Sequence, residues 1–378
     1  MRRALPAAVV VLLVALAAPV QASSEARDAP TIDADAWYLS GEDGIVLARQ
    51  NSRRARAIAS ITKLMTALVA LEHARPSDVV RVSPAVATIG GSTIFLRGGE
   101  ELTVADLVRG TLIPSANDAA TALALHVGEG SIDRFVAMMN EKAQELGLTD
   151  TTFANPHGLD APDHLSSARD ATLLVRQAFG VPLLRDALGR TTFTLPGGRQ
   201  FETTDDLNAS WPPLLGGKTG HTAAAGWSET GAARARGATV YGAVLGGDTR
   251  AERNDALRTL LAYGLARYRR VAAIDATRVY AVAETGYGRP TVDLVAPRTL
   301  ARTVHESTAL VERVLAPRSV ALPVRRGQRL GRVEVWDGDR LLASSNLVAA
   351  TDVSEPGFLG TAGWFARRTT SNLWGLVS

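Results

Sequence analysis

Cysteine is absent from all 378 residues. That excludes a disulfide scaffold, a thiolate zinc site, an iron–sulfur cluster and a cysteine nucleophile. It also suits an envelope protein that folds without an oxidative step. Nor does either sign of charge prevail. The formal net charge is +3, and two basic residues, Arg2 and Arg3, stand in a segment expected to be removed. The near-balance that remains is no nucleic-acid footprint, so no nucleic-acid partner is expected, and the arginine runs at 53–56 and 267–270 read as solvated faces. No later stretch is apolar over the roughly 20 residues a spanning helix needs. With 46% hydrophobic residues the chain is neither collagen-like nor globally disordered, and its length suggests two domains.

Lysine is the other scarcity. Lys63, Lys142 and Lys218 are the only three, against 38 arginines. Lysine differs from arginine chiefly in being able to give up its proton inside a folded site. These three positions therefore come first in any search for chemistry.

The N-terminus has a basic start, an apolar run from Ala4 to Pro19 and small residues at Val20 and Ala22. This is the pattern of a secretory signal peptide over 1–22, with cleavage after Ala22. The expected organisation is then an α+β catalytic domain over 23–272, a small all-β domain over 273–355 and a tail over 356–378. A hairpin is expected around Gly41-Glu42-Asp43-Gly44 and a helix from Ser60, with Ile61, Leu64, Met65, Leu68 and Leu71 at helical spacing. A long loop is expected over 149–166. Thr249-Arg250-Ala251-Glu252 predicts a capping box for a helix through Arg270, with its stripe running from Leu257 to Tyr268.

Two lysines sit in suggestive surroundings. In Ser60-Ile61-Thr62-Lys63, residues three apart share a helix face, so a neutral amine can take the hydroxyl proton and create a nucleophile. A helix start also favours a developing oxyanion. Lys218-Thr219-Gly220, on an expected edge strand, can fix an anionic substrate and leave backbone N–H groups open. Between them, Ser115-Ala116-Asn117 offers a proton relay at Ser115 and an amide holder at Asn117. Lys142 reads as a solvated helix residue. His157, Asp160, Asp163, His164 and Asp170 crowd together, but no His-x-x-x-His spacing occurs, so neither metal nor cofactor is expected. No Gly-x-Ser-x-Gly elbow exists to supply another nucleophile.

The order SxxK, SxN, KTG resembles that of the penicillin-recognising serine acyl-transferases, and among them the D-alanyl-D-alanine carboxypeptidases of the low-molecular-mass penicillin-binding proteins. Ala59–Ala67, Leu112–Ala120, Asn155-Pro156-His157-Gly158-Leu159 and Gly217–Thr222 all carry the likeness. The resemblance implies an antiparallel sheet flanked by helices, followed by a small β domain. It implies that Ser60 attacks the D-Ala–D-Ala peptide bond of peptidoglycan stem peptides, with Lys63 as base, held neutral by the charge of Lys218. Backbone N–H groups of Ser60 and His221 would form the oxyanion hole, with Lys218, Thr219 and Gly220 lining the substrate strand. Arg253 would bind the substrate carboxylate, as its bidentate fork suits. β-Lactams would acylate the same serine. The location implied is the outer face of the cytoplasmic membrane or a periplasm-like space. The tail, with Trp364 and Trp374, would make peripheral contact with the membrane.

Two alternatives are weaker. A class A β-lactamase would carry aspartate at Ala116, and a glutamate three or four residues ahead of an asparagine is missing where that class needs it. A catalytically silent peptidoglycan-binding protein would have no use for Lys63.

Overall fold

A computed structural model describes residues 9–15, 30–362 and 364. The chain forms two compact units that meet in sequence between Arg267 and Tyr268. The first is built on a five-stranded antiparallel sheet: β1 (Ala36–Gly41), β2 (Val46–Gln50), β3 (Leu214–Thr222), β4 (Gly226–Ala235) and β5 (Ala238–Gly247), in the spatial order β2-β1-β5-β4-β3. β3, which carries Lys218-Thr219-Gly220, is therefore an edge strand.

Among the described residues eight α-helices belong to this unit: α1 (Lys63–His73), α2 (Val104–Leu112), α3 (Asn117–Val127), α4 (Ile132–Glu145), α5 (Ala168–Gly180), α6 (Pro182–Leu188), α7 (Leu207–Ser210) and α8 (Arg250–Ala266). Strand alternation decides which face each covers. Thr230 of β4 bonds the Ala171 carbonyl of α5, whereas its neighbour Glu229 pairs with Arg253 of α8, so α5 and α8 lie on opposite faces. α1 is buried from Lys63 through Ala70. Its leucines and Met65 join Ile94, Leu107, Leu123 and Phe135 in one core. Both Thr103–Asp106 and Thr249–Glu252 close as reciprocal capping boxes, fixing the starts of α2 and α8.

Two expectations are corrected. The helix expected from Ser60 begins as a 3-10 turn, Ala59–Thr62, and becomes α-helical only at Lys63. The helix expected to reach Arg270 stops at Ala266, and Tyr268 instead opens β6 (Tyr268–Ile274). Tyr268 continues the apolar stripe, but its backbone pairs with His305, a distant partner that no local pattern reveals. The second unit thus starts at 268 rather than 273.

That unit is all-β. It comprises β6, β7 (Val279–Thr285), β8 (Val292–Val295), β9 (Leu300–His305), β10 (Leu310–Pro317), β11 (Ser319–Val320), β12 (Arg329–Asp337) and β13 (Arg340–Ala349). Ile274, Val292, Leu294, Val333 and Leu347 form its core. β12 and β13 turn at Gly338, whose φ of 55° needs no Cβ to accommodate. Val9–Ala15, within the expected leader, pairs as a strand with β10. The expected cleavage point at Ala22 and the tail from Phe365 lie outside the described residues. Among the described residues no helix is long and apolar enough to cross a membrane.

Candidate active site

The site begins with a strained turn. Ala59 has φ +47°, a left-handed conformation that costs an L-residue about 1–2 kcal/mol. The turn after it sets Ser60 and Lys63 side by side, with Ser60 Oγ 2.7 Å from Lys63 Nζ. Lys63 is fully buried. Its nitrogen has two further neighbours, Asn117 Oδ1 at 2.6 Å and the His157 carbonyl oxygen at 2.7 Å. Both are acceptors only. A neutral amine has two N–H donors and one lone pair. Its donors satisfy Asn117 and His157, and the lone pair is left facing the Ser60 hydroxyl.

Burial favours that neutral amine. Lys63 is held well below its ordinary value, first by desolvation and second by the charge of Lys218. The expectation named the charge of Lys218, and burial stands before it. Lys218 is equally buried, donates to Ser115 Oγ at 2.9 Å and to the Thr219 carbonyl at 3.0 Å, and is drawn down to about 7 by burial. It is therefore a proton-exchanging group near neutral pH as well as a charge. Ser115 is held at φ +64°, a second strained residue at the site.

Asn117, the first residue of α3, is committed at both ends of its amide. Its Oδ1 takes Lys63, and its Nδ2 donates to the Gly90 carbonyl at 2.7 Å. Its amide thus aligns Lys63 and ties the 89–92 loop to the site, a place different from the substrate-amide holder expected. Next to it, buried Asp118 accepts from the backbone N–H groups of Ile94 and Leu96. Sequence reasoning missed this loop, and the Gly90-Gly91 doublet was its only local signal. A Cβ on Gly91 would stand 2.7 Å from Asn117 Nδ2.

The long 149–166 loop is anchored on α1. Thr66 donates to the Pro156 carbonyl, and Asn155 Oδ1 accepts from Gly158 N at 2.7 Å. His164 Nδ1 accepts from Ala154 N at 2.9 Å, which leaves the proton on Nε2, 2.7 Å from Thr62 Oγ1. One ring nitrogen is thereby used within the loop and the other on the nucleophile turn. Asp160 accepts from Thr222 Oγ1 on β3, and Asp170 from Thr151 and Asp150 N. The crowd of histidines and aspartates seen in sequence is a set of loop anchors, and among the described residues no three of them converge as metal ligands. Lys142 pairs with Glu72 and Glu145 on the helix surface.

Two glycines let the walls close on Ser60. A Cβ on Gly158, at φ +89°, would lie 2.0 Å from the Ala59 carbonyl oxygen. One on Gly220 would lie 2.6 Å from the Ile58 carbonyl and 3.2 Å from Ser60 N. β3 therefore lies directly against the backbone of the nucleophile turn. Thr219 Oγ1 meets Thr204 Oγ1 at 2.7 Å, and exposed His221 stacks on Trp227 with ring centroids 4.0 Å apart. Arg253 is set apart from this group. It is 2% exposed, its Nε lies 2.9 Å from Glu229 Oε2, and its guanidinium sits 5.7 Å above the Trp227 ring.

Burial also holds the His157 and His164 imidazoles at about 4. Unfolded histidine titrates near 6.5, so between pH 6.5 and 4 the unfolded chain binds more protons. Stability is expected to fall on acidification through that window, by up to about 3 kcal/mol for His164 alone. Urea unfolding of wild type and His164→Gln at pH 7 and pH 4.5 measures it. The variant should lose less on acidification, and equal losses would contradict the assignment.

Residues 23–249 match the family described as D-alanyl-D-alanine carboxypeptidase. The chain is 32% identical to D-alanyl-D-alanine carboxypeptidase DacC of Escherichia coli, over 90% of this chain and 89% of that protein. It is 30% identical to DacF of Bacillus subtilis, over 86% of each. Among solved structures, penicillin binding protein 5 from Haemophilus influenzae superposes with a TM-score of 0.63 at 27% identity, covering 87% of this chain and 99% of that one. The chain belongs to the D-alanyl-D-alanine carboxypeptidase family.

Proposed function

We propose that the protein removes the terminal D-alanine from peptidoglycan stem peptides through an acyl-enzyme on Ser60. One observation carries the proposal: the Lys63 amine spends both donors on Asn117 and His157, which leaves its lone pair for Ser60. Ser60 Oγ attacks the carbonyl carbon of the D-Ala–D-Ala bond while its proton passes to Lys63 Nζ. The oxyanion is received by the backbone N–H groups of Ser60 and His221. The C–N bond breaks as the departing nitrogen takes a proton through Ser115, which Lys218 can resupply from 2.9 Å. The proton that Lys63 took from Ser60 makes good the one that Ser115 and Lys218 gave up, so Lys63 is neutral again. Water then attacks the ester, its proton passing to Lys63 and on to Ser60 Oγ as the acyl C–O bond breaks. A β-lactam would form the same ester, but its amine stays tethered and does not clear the site.

Lys218, Thr219, Gly220 and His221 form the substrate strand in this reading. Arg253 would reach a substrate carboxylate only by exchanging Glu229 for it, so we assign it a supporting place behind the strand. The test is D-alanine release from a pentapeptide ending in D-Ala–D-Ala. Release matching tetrapeptide formation supports the proposal. Turnover of penicillin without peptide cleavage would favour a β-lactamase, and inertness toward both would favour a silent binding protein.

We place the mature protein in the envelope, exported by its leader and touching the membrane surface peripherally through its tail. Phe358 and Leu359, at the start of that tail, are 88% and 85% exposed, which suits insertion among headgroups. Trp364 instead packs edge-on against Tyr287. A chain ending at Glu355 should retain peptide cleavage and lose binding to anionic liposomes. Equal partitioning of the two forms would remove the anchoring role.

A further inference from the structure

Behind the substrate strand lies a buried charge cluster that the mechanism above does not use. In the ladder between β3 and β4, Thr219 stands opposite Glu229 and Lys218 opposite Thr230. Neighbouring residues of a strand face opposite ways, so Glu229 lies on the reverse face from the Lys218 side chain. There it is joined by Asp205 and by Arg253 of α8, and all three are at most 2% exposed. Gly217 makes the space. A Cβ there would lie 3.1 Å from Asp205 Oδ2 and 3.4 Å from Glu229 Oε1, so both carboxyls converge on one glycine.

Neither of those two oxygens has a hydrogen-bond donor. Acceptors left together without a donor, out of water, are costly, and two like charges cannot both persist there. Arg253 Nε, 2.9 Å from Glu229 Oε2, balances one carboxylate and not two. A single proton held between the carboxyls supplies the missing donor and the missing charge together.

We propose that Asp205 and Glu229 are a proton-sharing carboxyl pair that forms a neutral unit with Arg253 behind β3 and so governs the charge that Lys218 meets. They are positioning residues, acting through Lys218, and the inference rests on the functional reading of Lys218 given above. Burial raises both carboxyls, Glu229 well above its ordinary value. Lys218 is lowered by burial, raised by Asp205 and Glu229, and lowered by Arg253. Lys218 in turn faces Lys63 from α1, and Arg250 from α8 faces the carboxyl pair.

The test uses the full chain and its Asp205→Asn, Glu229→Gln and doubly substituted variants. At pH 7 the infrared carbonyl stretch of a protonated carboxyl should be present in wild type and lost in either single variant, whose remaining carboxyl ionises against Arg253. The alkaline limb of kcat/KM for the pentapeptide should stay in place in the single variants. In the double variant Arg253 keeps only the partly exposed Asp206, 3.7 Å away, and its buried side is left without a carboxylate, so the limb should move down by about one pH unit or more. A carbonyl band that survives in either single variant, or a limb unmoved in the double variant, would overturn the proposal. Should the double variant not fold, the infrared result decides alone. Fluorescent penicillin separates the two failures. Unlabelled wild type would count against the functional reading itself, whereas labelled wild type with two ionised carboxyls would count only against the pair.

Discussion

Lys63→Arg is expected to lose acylation by about 10²–10⁴-fold, as fully as Lys63→Ala does. Arginine keeps the positive charge but does not release its proton at neutral pH, so it cannot serve as the base. The buried pocket also offers a single nitrogen's worth of space among Ser60, Asn117 and His157. Alanine fails by another route, since it leaves Asn117 Oδ1 and the His157 carbonyl without donors, at about 1–3 kcal/mol for each. The two variants should therefore differ in stability while agreeing in acylation rate, as followed with a chromogenic β-lactam. An arginine variant within tenfold of wild type would show that Lys63 contributes charge and not proton transfer.

Gly158→Ala should be nearly as damaging without touching a single reactive atom. The new Cβ would meet the Ala59 carbonyl oxygen at 2.0 Å, its carbon at 2.4 Å and Ser60 N at 2.9 Å. All three belong to the backbone of the nucleophile turn, so no flexible side chain can yield. Displacing that turn by an ångström is enough for about a 100-fold loss of acylation. Gly198→Ala is the control. Gly198 has nearly the same φ, +88°, but nothing lies within 4 Å of its Cβ position. It bears only the backbone strain of about 1–3 kcal/mol and should acylate normally. Equal acylation by the two alanine variants would mean that the Gly158 contact does not shape the turn.

What was legible in the sequence follows the range of the interactions. Ser60 and Lys63 lie three residues apart, and the Thr249–Glu252 capping box closes over the same distance, so local spacing revealed both. Asn117 was recognised as part of the site, but its partners Lys63 and Gly90 come from separate segments, and its amide was assigned to the substrate instead. Ala59 and Ser115 carry no compositional mark of a left-handed backbone, unlike a glycine. Glu229 reads as an ordinary polar residue in a strand until α8 brings Arg253 onto it. Arg253 was expected at the substrate carboxylate from the resemblance, and on α8 it meets Glu229. The end of α8 escaped for the same reason, since Tyr268 satisfies a helical stripe locally and a strand ladder globally.

The most direct test of the central claim is the mass of the labelled peptide. Full-length protein is treated with penicillin, digested, and its peptides sequenced by fragmentation. A single adduct should fall on Ser60, and Ser60→Ala should carry none. An adduct at Ser115 or any other serine in the wild type, or undiminished labelling of Ser60→Ala, would contradict the account.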